Sequence, residues 1–126
     1  VAVGSRNLGR ATRFAADFEI LRAYGNYQQL VEDPQVDAVY IGTPHAFHAE
    51  HALLCMCHGK HVLCEKSLAL NAEQAERMVQ AARENDRLLM EAMWTRFLPA
   101  MAHVRRLLYE GAIGTHRTED GYEFTC

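Results

Sequence analysis

The chain has 126 residues, 49% hydrophobic and 23% charged, with 13 basic against 16 acidic residues for a net charge of −3. This composition fits a globular domain and excludes a disordered or fibrous chain, and its interspersed charges argue against nucleic acid or an anionic membrane as partner. No apolar run approaches the roughly 18 residues that span a bilayer, and no basic stretch followed by an apolar one marks the N-terminus, so a cytoplasmic location is expected.

In chain order, residues 1–4 (VAVG) read as a strand and residues 7–18 as a helix with Ala11, Phe14, Ala15 and Phe18 on its inner face. An extended piece at 22–24 and a Gly25-Asn26 turn follow, then a short helix over 27–32 stopped by Asp33-Pro34. The apolar run 36–41 is a strand that ends in Gly42-Thr43-Pro44-His45. Residues 45–58 form a helix, with Thr43 as cap, Pro44 in the first turn, Gly59 as stop, and Ala46, Ala49, Leu53 and Met56 as its apolar stripe.

Strand 61–64 follows, and Asn71 with Gln74 makes a variant capping box for a helix over 72–85 that buries Ala75, Met78, Val79 and Ala82. Strand 88–92 leads to a helix over 97–110, with Met101, Val104, Leu107 and Leu108 inward, and residues 118–125 could begin another strand. Strands alternating with helices at this rhythm give parallel βαβ units with right-handed crossovers, an α/β fold. The four cysteines, Cys55, Cys57, Cys64 and Cys126, are too few and too bunched for a secreted disulfide framework and read as reduced thiols.

Open α/β sheets bind ligands at the carboxyl ends of their strands, so residues just after each strand are the candidates. Ser5 and Arg6 follow the first strand, in the turn where a dinucleotide-binding fold meets the adenosine ribose. Arg6, with Arg10 one helical turn on, supplies a cation for a 2′-phosphate, the alternative being two solvated arginines. Thr43, Pro44, His45 and His48 form a polar strand-to-helix turn whose N–H groups suit an electron-rich partner, or simply a capped helix with two surface histidines.

Glu65-Lys66 ends the strand over 61–64, and an ammonium at a buried strand end can assist proton transfer; the plainer alternative is an exposed ion pair. Trp94 and Arg96 supply a ring wall and a guanidinium, or else a core aromatic beside a surface arginine. His51, Cys55 and His58 share one helical stripe. That stripe reads as a solvated face and no metal site is expected.

The segments TPHAFHAEHAL, GKHVLCEKSLALN and LLMEAMWTRFLPAM, in this order, resemble the Gfo/Idh/MocA oxidoreductases over essentially the whole chain, and within them the trans-dihydrodiol and D-xylose dehydrogenase branch. The resemblance implies a Rossmann-like, doubly wound parallel sheet over residues 1–96. Residues 97–126 would then be a linking helix and the start of a second α/β domain.

It further implies NADP as cofactor, hydride transfer from a cyclic diol or sugar, and a full-length homodimer. By position Lys66 matches the catalytic lysine and Glu65 a ribose contact. Ser5, Arg6 and Arg10 face the 2′-phosphate, Thr43, Pro44, His45 and His48 form the loop beside the nicotinamide, and Trp94 with Arg96 flank the cofactor.

Three departures stand out. Ser67 replaces the signature proline that would hold the lysine's turn still. The tyrosine that acts with the lysine is missing from the chain. No GxGxxG occurs, so the Rossmann sheet is expected to be incomplete, lacking its first strand and glycine-rich loop, and therefore split. The expectation is a segment of a longer enzyme or an incomplete gene product, inactive by itself. The competing class is a nucleotide-binding or regulatory fragment without turnover.

Overall fold

The computed structural model describes residues 1–112 and residue 114. The chain divides into two compact units, the first Val1–Ala92 and the second starting at Met93. The break falls four residues before the expected boundary at 96, so Trp94 and Arg96 belong to the second unit.

In the first unit, strands and helices alternate as β1 (Ala2–Gly4), α1 (Leu8–Asp17), β2 (Arg22–Tyr24), α2 (Tyr27–Glu32), β3 (Ala38–Ile41), α3 (His48–Cys57), β4 (His61–Cys64), α4 (Ala72–Glu84) and β5 (Leu89–Glu91). Every pairing is parallel, but there are two sheets: β1-β2, and β3-β4-β5 with Val39 opposite Val62 and Val62 opposite Leu89. The Ser5 N–H bonds the Tyr24 carbonyl at 3.0 Å and the Glu65 N–H bonds the Ile41 carbonyl at 2.9 Å. Strand groups alternate sides, so the backbone groups of Ala2 and Gly4, and of Ala38 and Tyr40, point away from these partners. A cavity of about 770 Å³ lies between the two free edges, lined on one side by Ala2 and Gly4 and on the other by Ala38, Tyr40 and Ile41.

The core is built on Met56, Met78, Cys64, Ala52 and Val31, all within 2% of full burial. α3 packs against β3, β4, α2 and α4. That crowding widens its buried arc to His48, Ala49, Ala52, Cys55 and Met56. The expected stripe is corrected accordingly, since Ala46 is exposed and Leu53 half-buried.

Thr43 does not cap this helix. A 3-10 turn over His45–Phe47 intervenes, and the Thr43 hydroxyl pairs with His51 instead. α1 is capped by Asn7, whose Oδ1 accepts from the Arg10 N–H at 3.0 Å. It buries Ala11 and Ala15 as expected, but Phe14 and Phe18 are exposed and stack on each other at 4.5 Å. In α4, Met78, Ala81 and Ala82 are buried while Val79 is exposed.

Buried Asp33 accepts from the Tyr24 hydroxyl at 2.9 Å and pairs with Arg22 Nε at 3.1 Å, while the Lys60 ammonium donates to the Asp33 carbonyl at 2.9 Å. These bonds tie β2, the end of α2 and the residue before β4 together. The second unit holds a 3-10 turn over Trp94–Phe97 and α5 (Pro99–Tyr109). Met101 and Val104, expected inward, are exposed, and Leu107 and Leu108 are half-buried. The strand expected over 118–125, and Cys126, lie outside the described residues.

Candidate functional site at the carboxyl ends of the strands

Parallel strands share one carboxyl end, and each expected site residue of the first unit follows such an end: Ser5 and Arg6 after β1, Thr43 to His48 after β3, Glu65 and Lys66 after β4. Side-chain contacts join these loops into one rim. The Arg6 guanidinium lies over the Phe47 ring, 5.3 Å from its centroid. Phe47 stacks on His51 at 5.8 Å with 18° between planes, and His51 meets Tyr27 edge-on at 4.5 Å. The Thr43 hydroxyl and His51 Nδ1 are 2.9 Å apart.

His48 makes the central bridge. It is 1% exposed, and its two ring nitrogens each lie 2.8 Å from a carbonyl oxygen, Nε2 from that of Thr43 and Nδ1 from that of Ser67. The turn carrying Lys66 is thereby fastened to the loop after β3, although Ser67 replaces a proline. Tyr40 makes a second link from β3, its hydroxyl donating to Glu65 Oε1 at 2.5 Å, and the Lys66 N–H donates to Glu65 Oε2 at 3.1 Å.

These bonds favour the charged carboxylate. The Tyr40 phenol first, then the Lys66 N–H, hold Glu65 below the usual carboxylate range, and the same carboxylate raises the Tyr40 phenol. His51 is shifted down, by burial first, with the Arg6 charge adding to the effect.

Lys66 is exposed rather than set in a buried strand end. Arg10, Pro44 and His45 are exposed too, and the Ser5 hydroxyl accepts from the Asn7 N–H at 3.2 Å. Trp94 and Arg96 sit in the 3-10 turn of the second unit; Trp94 is 65% exposed, not a core aromatic.

The stripe of His51, Cys55 and His58 is not a solvated face. Cys55 is buried and His51 half-buried, since α3 is covered on several sides. No cluster of His, Cys, Asp or Glu suited to a metal ion occurs among the described residues. Sequence reasoning missed Tyr40, Phe47 and Tyr27. Strand alternation could have placed Tyr40 on the face opposite Ile41, but no local pattern pairs it with Glu65.

The residues present suit a nicotinamide dinucleotide. Arg6 and Arg10 are exposed, with no carboxylate partner among the described residues, and the charged Glu65 can accept from a ribose hydroxyl.

A family model, GFO_IDH_MocA, described as an oxidoreductase family with an NAD-binding Rossmann fold, matches residues 1–93. A trans-1,2-dihydrobenzene-1,2-diol dehydrogenase of Danio rerio is 50% identical over 114 residues, covering 90% of this chain and 34% of its own length. A 3-ketoreductase from Actinomadura kijaniata, solved with TDP-benzene and NADP, superposes with a TM-score of 0.82 at 40% identity, over 93% of this chain and 37% of its own. A levoglucosan dehydrogenase in complex with NADH and levoglucosan superposes at 0.83 with 32% identity, over 90% of this chain and 31% of its own. The chain thus spans about a third of the length of the relatives it matches.

Proposed function

The chain belongs to the Gfo/Idh/MocA oxidoreductase family, and on that premise we propose that it serves an NADP-linked dehydrogenase acting on a cyclic diol or sugar, in the cytoplasm and as a homodimer. One observation carries the reading: Arg6 and Lys66 belong to a single rim, connected through Phe47, His51, Thr43, His48 and Ser67. Ser5, Arg6 and Arg10 would hold the 2′-phosphate and Glu65 a ribose hydroxyl. The loop of Thr43, Pro44, His45 and His48 would border the nicotinamide.

When bound, the nicotinamide supplies the hydride acceptor. The role of Lys66 is to assist removal of the substrate hydroxyl proton, and His48 and Glu65 keep its backbone in place. NADP sets the phosphate's charge against Arg6, whereas NAD would leave that cation without its partner.

The test is nicotinamide reduction with a trans-dihydrodiol and with D-xylose, using NADP and NAD in parallel, in a full-length enzyme that carries this segment, because the 126 residues alone are proposed to be inactive. Turnover should prefer NADP, Arg6→Ala should erase the preference, and Lys66→Ala should cut kcat by roughly 100-fold or more while leaving NADP affinity nearly unchanged. A preference that survives Arg6→Ala contradicts the proposal. The exposure of Lys66 favours a second reading, nucleotide binding without turnover. NADP binding with no reduction of any diol or sugar, even after the missing ends are restored, would select it.

A further inference from the structure

We infer that Phe47 is a positioning residue for cofactor choice, a fixed aromatic platform that aims the Arg6 guanidinium at the 2′-phosphate. This deepens the NADP reading above and rests on it. Arg6 is an exposed side chain on a turn, and an arginine so placed ordinarily samples many rotamers that must be frozen when it binds an anion. Here the guanidinium already lies over a ring, 5.3 Å from the centroid, within the range of cation–π attraction.

The ring itself cannot swing freely. Phe47 is half-buried, ends the 3-10 turn His45–Phe47, and lies nearly parallel to His51 at 18°. His51 is in turn fixed by the Thr43 hydroxyl at 2.9 Å and the edge of Tyr27 at 4.5 Å. Burial disfavours the charged imidazole of His51, which favours the neutral ring that does not repel the guanidinium. Four side chains from three loops or helices thus hold one cation in a chosen direction. Preorganisation of this kind raises affinity by removing an ordering cost, and only for a ligand that uses the cation.

The prediction is selective. Using the 126-residue chain, 2′,5′-ADP and 5′-AMP are titrated by calorimetry against wild type, Phe47→Leu and Phe47→Trp. Phe47→Leu should weaken 2′,5′-ADP about two- to fivefold, in line with an exposed cation–π contact, and leave 5′-AMP unchanged; Phe47→Trp should restore the difference. Without ligand, the Arg6 Nε–H proton resonance should lose its ring-current shift in Phe47→Leu alone.

Equal weakening of both nucleotides makes Phe47 merely structural and overturns the inference. A wild-type preference for 2′,5′-ADP that Phe47→Leu leaves intact overturns it too, while sparing the NADP reading. If wild type shows no preference for 2′,5′-ADP, the NADP reading fails and this inference with it.

Discussion

Tyr40 shows how a residue without an obvious motif can govern one that has it. Its hydroxyl is the first cause of the depressed Glu65 carboxyl, whose ordinary value is 4.5. A carboxyl depressed by folding contributes stability above its unfolded value and loses it as pH falls through the folded one. Tyr40→Phe should therefore move the Glu65 midpoint up toward 4.5 in an NMR titration, and an unmoved midpoint would refute the assignment.

The thiols behave oppositely. Burial pushes Cys55 up to about 12 and Cys64 up to about 11 from 9.0, so their contribution is complete below pH 9 and is lost as pH rises beyond it. Maleimide at neutral pH should label exposed Cys57 and spare Cys55 and Cys64 until the protein unfolds, which peptide mapping reads directly. The candidates Ser5, Arg6, Thr43, Glu65 and Lys66 are visible in sequence because each follows an apolar run. Their contacts are not visible, because Arg6 and Phe47, or Tyr40 and Glu65, are joined only by the winding of the sheet.

At the scale of elements, α4 illustrates what local chemistry specifies. Asn71 Oδ1 accepts from the Gln74 N–H at 2.9 Å, as the capping pattern requires, while the Gln74 side chain reaches back to the Leu70 N–H at 3.2 Å, one residue beyond the usual box. Asn71→Ala should cost about 1 kcal/mol in chemical denaturation, and a loss near zero would mean that water replaces the cap without penalty. Periodicity correctly located the helix but misplaced one edge of its buried arc, taking Val79 where Ala81 is inside. An amphipathic pattern gives a stripe wider than 100°, and the neighbours decide which part of it is covered. The same reason accounts for Phe14 and Phe18 on α1, and for α3, whose packing against four elements buries His48 and Cys55 against expectation.

For the molecule as a whole, the central fact is the division into β1-β2 and β3-β4-β5 with a cavity of about 770 Å³ between. Unpaired strand edges exchange their amide hydrogens readily and are prone to unwanted pairing. The Gly4 and Tyr40 amides should exchange much faster than that of Leu63, whose strand is paired on both sides; equal protection in hydrogen-exchange mass spectrometry would mean the edges are covered. The split was legible in the absence of any GxGxxG.

What the sequence determined by itself was the alternation of strands and helices, the family, and which residues follow each strand, since periodicity, capping and turn chemistry are properties of contiguous residues. Tertiary structure alone decided that His48 would reach the Ser67 carbonyl, that Tyr40 would hold Glu65, and that Phe47 would lie beneath Arg6. Those pairs meet only because parallel strands bring their carboxyl ends together, and no interaction between neighbours in the chain encodes such a meeting.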